Sequence, residues 1–245
     1  MTFDAKPFFE SLFQAAVEAA DPRKVVRNFL PARPRGRTIV VGAGKGAAQM
    51  AQAFEEAWEG PLEGAVVTRY GYGASTRRIA VLEAAHPVPD AAGLEGSRHL
   101  LRLLSNLTED DLVVALICGG GSALLPSPPP GMTLEDEIAV NEALLASGAP
   151  ISAMNAVRKH LSAIKGGRLA AAAYPARVVS LIVSDIPGDN PALVSSGPTI
   201  PDAATRQDAL AIVKAYGLRL PAAAIRHLHS HLADAPKPDD PRFAR

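Results

Sequence analysis

The sequence predicts an α/β fold, a Rossmann-like and mostly parallel sheet with helices on both faces and a helical lead-in at the N-terminus. From Arg37 onward, short apolar runs are each followed by a Gly-rich or polar turn and then by an Ala-rich segment of helical period, the alternation expected of βα units. Runs such as LVVALIC (112–118) and VVSLIVS (178–184) lack regular polar alternates, which is the pattern of strands covered on both faces. With 245 residues, 48% hydrophobic and 20% charged, the chain can bury one sizeable core, so disordered and collagen-like classes are excluded.

The elements follow in order. Phe8, Phe9, Leu12, Phe13, Ala16 and Val17 recur at helical spacing after Pro7, and Asp21-Pro22 supplies an N-cap and first position for a second helix reaching about Leu30. Both are expected to be packing helices. Strands are expected at 38–41, 65–68, 79–83, 112–118 and 178–184. Helices are expected at 44–58, 90–105, 134–147, 152–174, 203–216 and 221–232, with Gly166-Gly167 as a break point in the fourth. Residues 1–235 form the expected domain, and the Pro-rich, charged 236–245 reads as a linker or disordered tail ending in Arg245.

Lys plus Arg and Asp plus Glu are both 25, so no basic field exists to gather nucleic acid or anionic lipid. The single Cys118 allows no internal disulfide and no zinc site of its own, which points to a reducing compartment. No run approaches a membrane span, and Asp4 and Glu10 stand where a signal peptide would be basic and then apolar, so the cytoplasm is the expected location.

Four segments carry candidate chemistry. Gly42-Ala43-Gly44-Lys45-Gly46-Ala47 lies between the first strand and a helix, where glycines admit a phosphate and the helix start offers free N–H groups. It is not a Walker A loop. It loosely matches the GxGxxA dinucleotide fingerprint, but Thr68-Arg69 stands where NAD would need an acid, so only an NADP reading with Arg69 on the 2′-phosphate survives. Gly119-Gly120-Gly121-Ser122 follows the most apolar strand and suits an anion-binding nest; Leu124 breaks the GxSxG hydrolase pattern. Asp185 and Asp189, leaving the last strand with Ser195-Ser196-Gly197 behind them, suit Mg²⁺ or proton acceptance, and they equally suit turns and caps. Asn155 and Arg158, with Ser162 on the same helical face and Lys159 beside it, could meet an anionic substrate alongside Ser196, or could form a solvated stripe. His86 in HPVPD reads first as turn punctuation. Because the first three segments each follow a strand, a parallel sheet would bring them to one rim, where a nucleoside polyphosphate, Mg²⁺ and a small anionic acceptor fit phosphoryl transfer.

At these residues the sequence resembles the glycerate kinase type-2 family. The matching blocks are VVGAGKGAAQMAQAFE, AAHPVPDAAGLEG, LVVALICGGGSALLPSP, MNAVRKHLSAIKGGRLA and SLIVSDIPGDNPALVSSGPTIPD, in family order across residues 3–232. The resemblance implies a Rossmann-like N-terminal domain and ATP-dependent conversion of D-glycerate to 2-phosphoglycerate with Mg²⁺. It implies Lys45 as the catalytic lysine, Gly119 to Ser122 with Lys165 and Gly166 around the phosphates, and Asp189 by the metal and substrate. Family members continue into a second, smaller α/β domain that this chain lacks, which implies a separate domain or a second copy as partner and a weakened activity. Alternative functions are an NADP-dependent hydroxypyruvate reductase and a non-catalytic nucleotide-binding remnant.

Overall fold

The computed structural model describes residues 5–243; Asp4 and Arg245 lie outside them. Five strands, β1 (Thr38–Ala43), β2 (Glu63–Arg69), β3 (Ile79–Ala84), β4 (Leu112–Cys118) and β5 (Arg177–Val183), form one sheet in the order β3-β2-β1-β4-β5, and every pairing is parallel. The expected fold class therefore stands. Gly42 sits opposite Val66 on one side and Leu116 on the other, so β1 is central and the strand order switches between β1 and β4.

Alternate side chains of the central strands enter two separate cores. Ile39, Val41, Val67, Val113 and Ile117 pack with Leu100 of α4 (Ala91–Leu103), Leu124 of α5 (Gly121–Leu124) and Leu169 of α8 (Arg168–Ala172). Val40, Val66, Val114 and Leu116 pack on the opposite face with Met50 and Phe54 of α3 (Ala47–Ala57). Each fully buried aliphatic side chain contributes about 1.5–3 kcal/mol of transfer free energy, which explains why these strands tolerate no polar alternate. A third cluster contains no strand residue and gathers α6 (Leu134–Ala146), α7 (Ile151–His160), α9 (Arg206–Ala215) and α10 (Ala222–His229) with the adjoining Met132, Leu161 and Ala233.

Several expectations change. The apolar stripe of α1 (Ala5–Ala19) exists, but none of its residues is buried, and Phe13 is 70% exposed. Its apolar face is left exposed. The second lead-in helix is short, α2 (Pro22–Val25), capped by Asp21 and followed by a 3-10 turn over Val26–Phe29. The helix expected at 152–174 is two, α7 and α8, because Gly166 and Gly167 both take positive φ and the Ser162 hydroxyl accepts the N–H groups of Ile164 and Lys165. β5 is not covered on both faces: as the edge strand it is half-buried, with Val183 half exposed. The 236–243 segment lies back on the fold, with the Asp202 N–H bonding Pro236 O and the Phe243 ring beside Gly167.

Candidate functional site

The carboxyl ends of all five strands share one edge, and the turns leaving β1 and β4 are docked on each other there. The Lys45 N–H donates to Gly119 O at 2.9 Å, the Gly44 N–H to Val67 O at 3.1 Å, and the Gly46 N–H to Cys118 Sγ at 3.2 Å. Gly44 has φ +139°, and a Cβ at that position would lie 2.4 Å from Cys118 O. Only glycine fits so close an approach of two backbones. Lys45 itself is exposed at the edge and forms no ion pair among the described residues.

The GGGS turn is enclosed by three neighbours. On the β5 side, the Asp185 carboxylate presses on Gly119, its Oδ2 1.8 Å from where a Cβ would stand. On the β3 side, His86 Nε2 and Lys45 Cγ are each 3.1 Å from the corresponding point on Gly120, whose φ is +90°. Beneath, Ser122 Oγ meets Ser196 Oγ at 2.8 Å, Ser196 Oγ donates to Asn155 Oδ1 at 3.0 Å, and Ser195 Oγ donates to Cys118 O at 2.6 Å. Ser195, Ser196 and Gly197 are all left-handed, with φ of 52°, 59° and 55°. Two consecutive non-glycine residues there store strain of order 1–3 kcal/mol each, the kind of backbone that clusters at ligand sites. Burial pushes the Cys118 thiol up to about 11, with the Gly46 N–H opposing, so it is an inert wall of the site. Burial, then the charges of Lys45 and Arg69, hold His86 below its ordinary value and keep it neutral.

The structure brings Gly42, Gly44, Lys45, Gly46, Gly119, Gly120, Gly121, Ser122, Asp185 and Ser196 to this edge. Asp189 is exposed on the same loop as Asp185, with φ 49°. Two expected site residues are engaged elsewhere. Lys165 is 2% exposed, and its ammonium donates to Glu137 Oε1 and to Leu125 O at 2.8 Å each, so its charge is neutralised within the core. Gly166 bonds the Ser196 carbonyl through its N–H at 3.1 Å and buttresses the serine turn. The basic stripe of α7 is neither solvated nor a row of free cations. Lys159 is buried against Asp202 at 2.8 Å, Arg158 donates to Asn141 Oδ1 at 2.8 Å, and Asn155 is buried under Ser196. Arg69, which the dinucleotide fingerprint had singled out for a 2′-phosphate, and His86, which read first as turn punctuation, also stand at the edge; the signal for His86 was its position just after β3 in a parallel sheet.

No group of three or more His, Cys, Asp or Glu capable of holding a metal occurs among the described residues. Asp185 and Asp189 thus do not form a dedicated cation cage. They fit a Mg²⁺ that keeps waters and arrives with phosphates, using one or two carboxylates.

Residues 8–229 match the family model described as a domain of unknown function, DUF4147. The chain belongs to the DUF4147 family. Within that family it is 41% identical over 209 residues to the D-glycerate 2-kinase of Thermotoga maritima and 39% identical over 237 residues to the glycerate kinase of Homo sapiens, covering 50% and 45% of those proteins. An Agrobacterium vitis protein, 56% identical over 221 residues and half covered, carries a provisional name as a hydroxypyruvate reductase. The crystal structure of the Thermotoga maritima glycerate kinase superposes with a TM-score of 0.82 at 37% identity over 91% of this chain and 54% of that one. A Pyrococcus horikoshii protein structure superposes with a TM-score of 0.87 at 36% identity over 99% of this chain and 59% of its own. This DUF4147 chain therefore corresponds to the N-terminal domain of glycerate 2-kinases and spans about half the length of the curated relatives it matches.

Proposed function

We propose that this DUF4147 chain provides the nucleotide wall of an ATP-dependent glycerate 2-kinase. The observation that carries this reading is the docking of the Lys45 turn onto the GGGS turn at the carboxyl edge, beside the β1/β4 switch in strand order where open α/β sheets bind ligands. Kinase names among the relatives support the reaction class. In the reaction the C2 hydroxyl oxygen of D-glycerate bonds to the γ-phosphorus as the β,γ-bridging P–O bond breaks, giving ADP, and the hydroxyl proton leaves.

The residues then divide the work. Gly42, Gly44, Gly46 and the Gly119–Gly121 backbone let polyphosphate approach, and Lys45 places a point charge on it. Asp185 and Asp189 would hold Mg²⁺, which when bound neutralises phosphate charge; either carboxylate can accept the hydroxyl proton. The Ser122, Ser196, Asn155 chain fixes the floor, and Arg158 orders α7 through Asn141. The reading includes a soluble, cytoplasmic chain; no described helix is long and apolar enough to cross a membrane. Phosphoryl transfer depends on charge clamps and water exclusion from both sides of a cleft, so this chain alone should turn over slowly until the remaining half of a relative, or a second copy, completes the wall.

A second reading is an NADP-dependent hydroxypyruvate reductase, favoured by the name of the Agrobacterium relative and by Arg69 at the end of β2. Calorimetry separates the two. The kinase reading expects MgATP binding that weakens in Lys45→Ala and loses its Mg²⁺ dependence in Asp185→Asn or Asp189→Asn. Tighter binding of NADPH than of MgATP, reduced by Arg69→Ala, would replace it with the reductase.

A further inference from the structure

The β2–β3 flank of the site holds nitrogen groups, of Lys45, Arg69 and His86, that form no ion pair among the described residues. Arg69 ends β2 and His86 follows β3, so sheet order places them in line with Lys45 at β1. The Arg69 Nε is buried without a hydrogen-bond partner among the described residues, and its guanidinium carbon lies 3.5 Å from the centroid of the Tyr72 ring, which fixes the plane of the fork. His86 Nε2 and the Lys45 stem both abut Gly120. Neighbouring acids do not answer these groups: Asp90 accepts from the Tyr70 hydroxyl and caps α4 through Gly93, and Glu83 Oε1 accepts the Gly73 N–H. Adjacent cations without a counter-charge repel, and a fold that needed them only for packing would pair them.

We propose that Arg69 and His86, on the side of Lys45 away from Asp185, form the subsite that binds the carboxylate of the small hydroxy-acid acceptor. The proposal rests on the phosphoryl-transfer reading. A planar guanidinium backed by an aromatic ring matches a planar carboxylate through two parallel N–H bonds, and the imidazole adds a third contact. Asp185 reaches the GGGS turn at Gly119 from the β5 side and His86 reaches it at Gly120 from the β3 side, so a metal-bound polyphosphate on the acid side leaves the Arg69 and His86 side to the second ligand. Burial keeps His86 neutral in the free protein, and an oxyanion seated on it would draw a proton onto the ring.

The test is titration of the 245-residue chain with D-glycerate and with glycerol, which lacks the carboxylate, and separately with MgATP. Arg69→Leu and His86→Asn are each expected to weaken D-glycerate binding roughly tenfold to a hundredfold, to leave glycerol unchanged, and to leave MgATP affinity within about twofold of the parent. Arg69→Lys keeps the charge and loses the fork, and it provides the same readout where Arg69→Leu does not fold. Unchanged D-glycerate affinity in the variants overturns the proposal, as does a parent that binds D-glycerate no better than glycerol. Loss of MgATP binding in place of D-glycerate binding also overturns it and assigns the cations to nucleotide phosphate. A parent that ignores MgATP but loses its D-glycerate preference in the variants retains the subsite and refutes the kinase reading.

Discussion

Replacing Lys165 by Met separates a structural lysine from a ligand-binding one. In the native protein its ammonium, 2% exposed, donates to Glu137 Oε1 and Leu125 O, while Glu137 Oε2 accepts the Ser127 N–H at 2.9 Å. Methionine preserves most of the volume but strands a carboxylate and a carbonyl in the core. Breaking one side of a buried pair costs about 3–5 kcal/mol, against a total stability of about 5–15 kcal/mol for a natural domain. At roughly 2–4 °C per kcal/mol for a chain of this size, the melting temperature should fall by about 6–20 °C. Adding Glu137→Gln removes the stranded charge yet keeps an acceptor for Ser127, so the double variant should recover much of the loss, a coupling that a cycle of the four proteins measures. Urea unfolding followed by circular dichroism supplies the stabilities, and calorimetry on the folded fraction should show MgATP affinity near that of the parent. A loss under about 1 kcal/mol, accompanied by a tenfold drop in MgATP affinity, would refute the burial argument and return Lys165 to the phosphate site.

Three further outcomes follow from the same packing. Cys118, pushed up to about 11 by burial, should resist iodoacetamide at neutral pH in the folded protein and label promptly in urea, so equally fast labelling in both would contradict its placement. Burial lowers His160 below 6.5, and its Nε2 has no partner among the described residues; the unfolded chain therefore takes up protons first, and stability should decline as pH falls from about 6.5. His86 and His227 shift in the same direction, so His160→Asn should flatten the urea-midpoint slope between pH 7 and 5 only in part, and an unchanged slope would remove His160 from the account. Gly44→Ala should cost more than about 1–3 kcal/mol, because its Cβ would sit 2.3 Å from Cys118 Sγ, whereas Gly71→Ala, with φ +76° and open space, should cost only the left-handed strain; equal melting temperatures would contradict the docking of the two turns.

The sheet was legible because its signal is local. Unbroken apolar runs ended by glycines gave the strands of β1 and β4 within a few residues, and parallel pairing then brought their turns together. The site was less legible where meaning lies in a distant partner. Nothing adjacent to Lys165 announces Glu137, 28 positions earlier, and nothing in α7 says that Lys159 is reserved for Asp202. A basic stripe looks alike whether it faces water, a ligand or a buried acid. His86 was undervalued for the opposite reason: Pro87 beside it gave a sufficient local explanation, and only sheet order reveals that it shares an edge with Lys45 and Arg69. The exposed stripe of α1 shows the same limit, since periodicity fixes which face is apolar but not what covers it.

The ordering of charge along the carboxyl edge constrains the chemistry more than any one loop does. From β3 to β5 the sequence is His86, Arg69, Lys45, the GGGS turn, then Asp185 and Asp189. The two ends nevertheless converge on one turn, the Asp185 carboxylate abutting Gly119 and His86 Nε2 abutting the adjacent Gly120. A ligand at this turn therefore meets nitrogen groups from the β3 side and a carboxylate from the β5 side, an arrangement that suits a metal-bound polyphosphate or two ligands meeting there. At this turn Gly120 has φ +90°, and the left-handed Ser195-Ser196-Gly197 run beside it is held in place by hydrogen bonds from Ser195 to Cys118 and from Ser196 to Asn155. Strain held by buried hydrogen bonds resists relaxation when charge moves across it, which suits a point where a phosphoryl group passes between two bound partners. A reductase would need its fixed geometry at a nicotinamide face instead, with Arg69 at the end of β2 on the 2′-phosphate, so the relative affinity for NADPH and MgATP decides between the two.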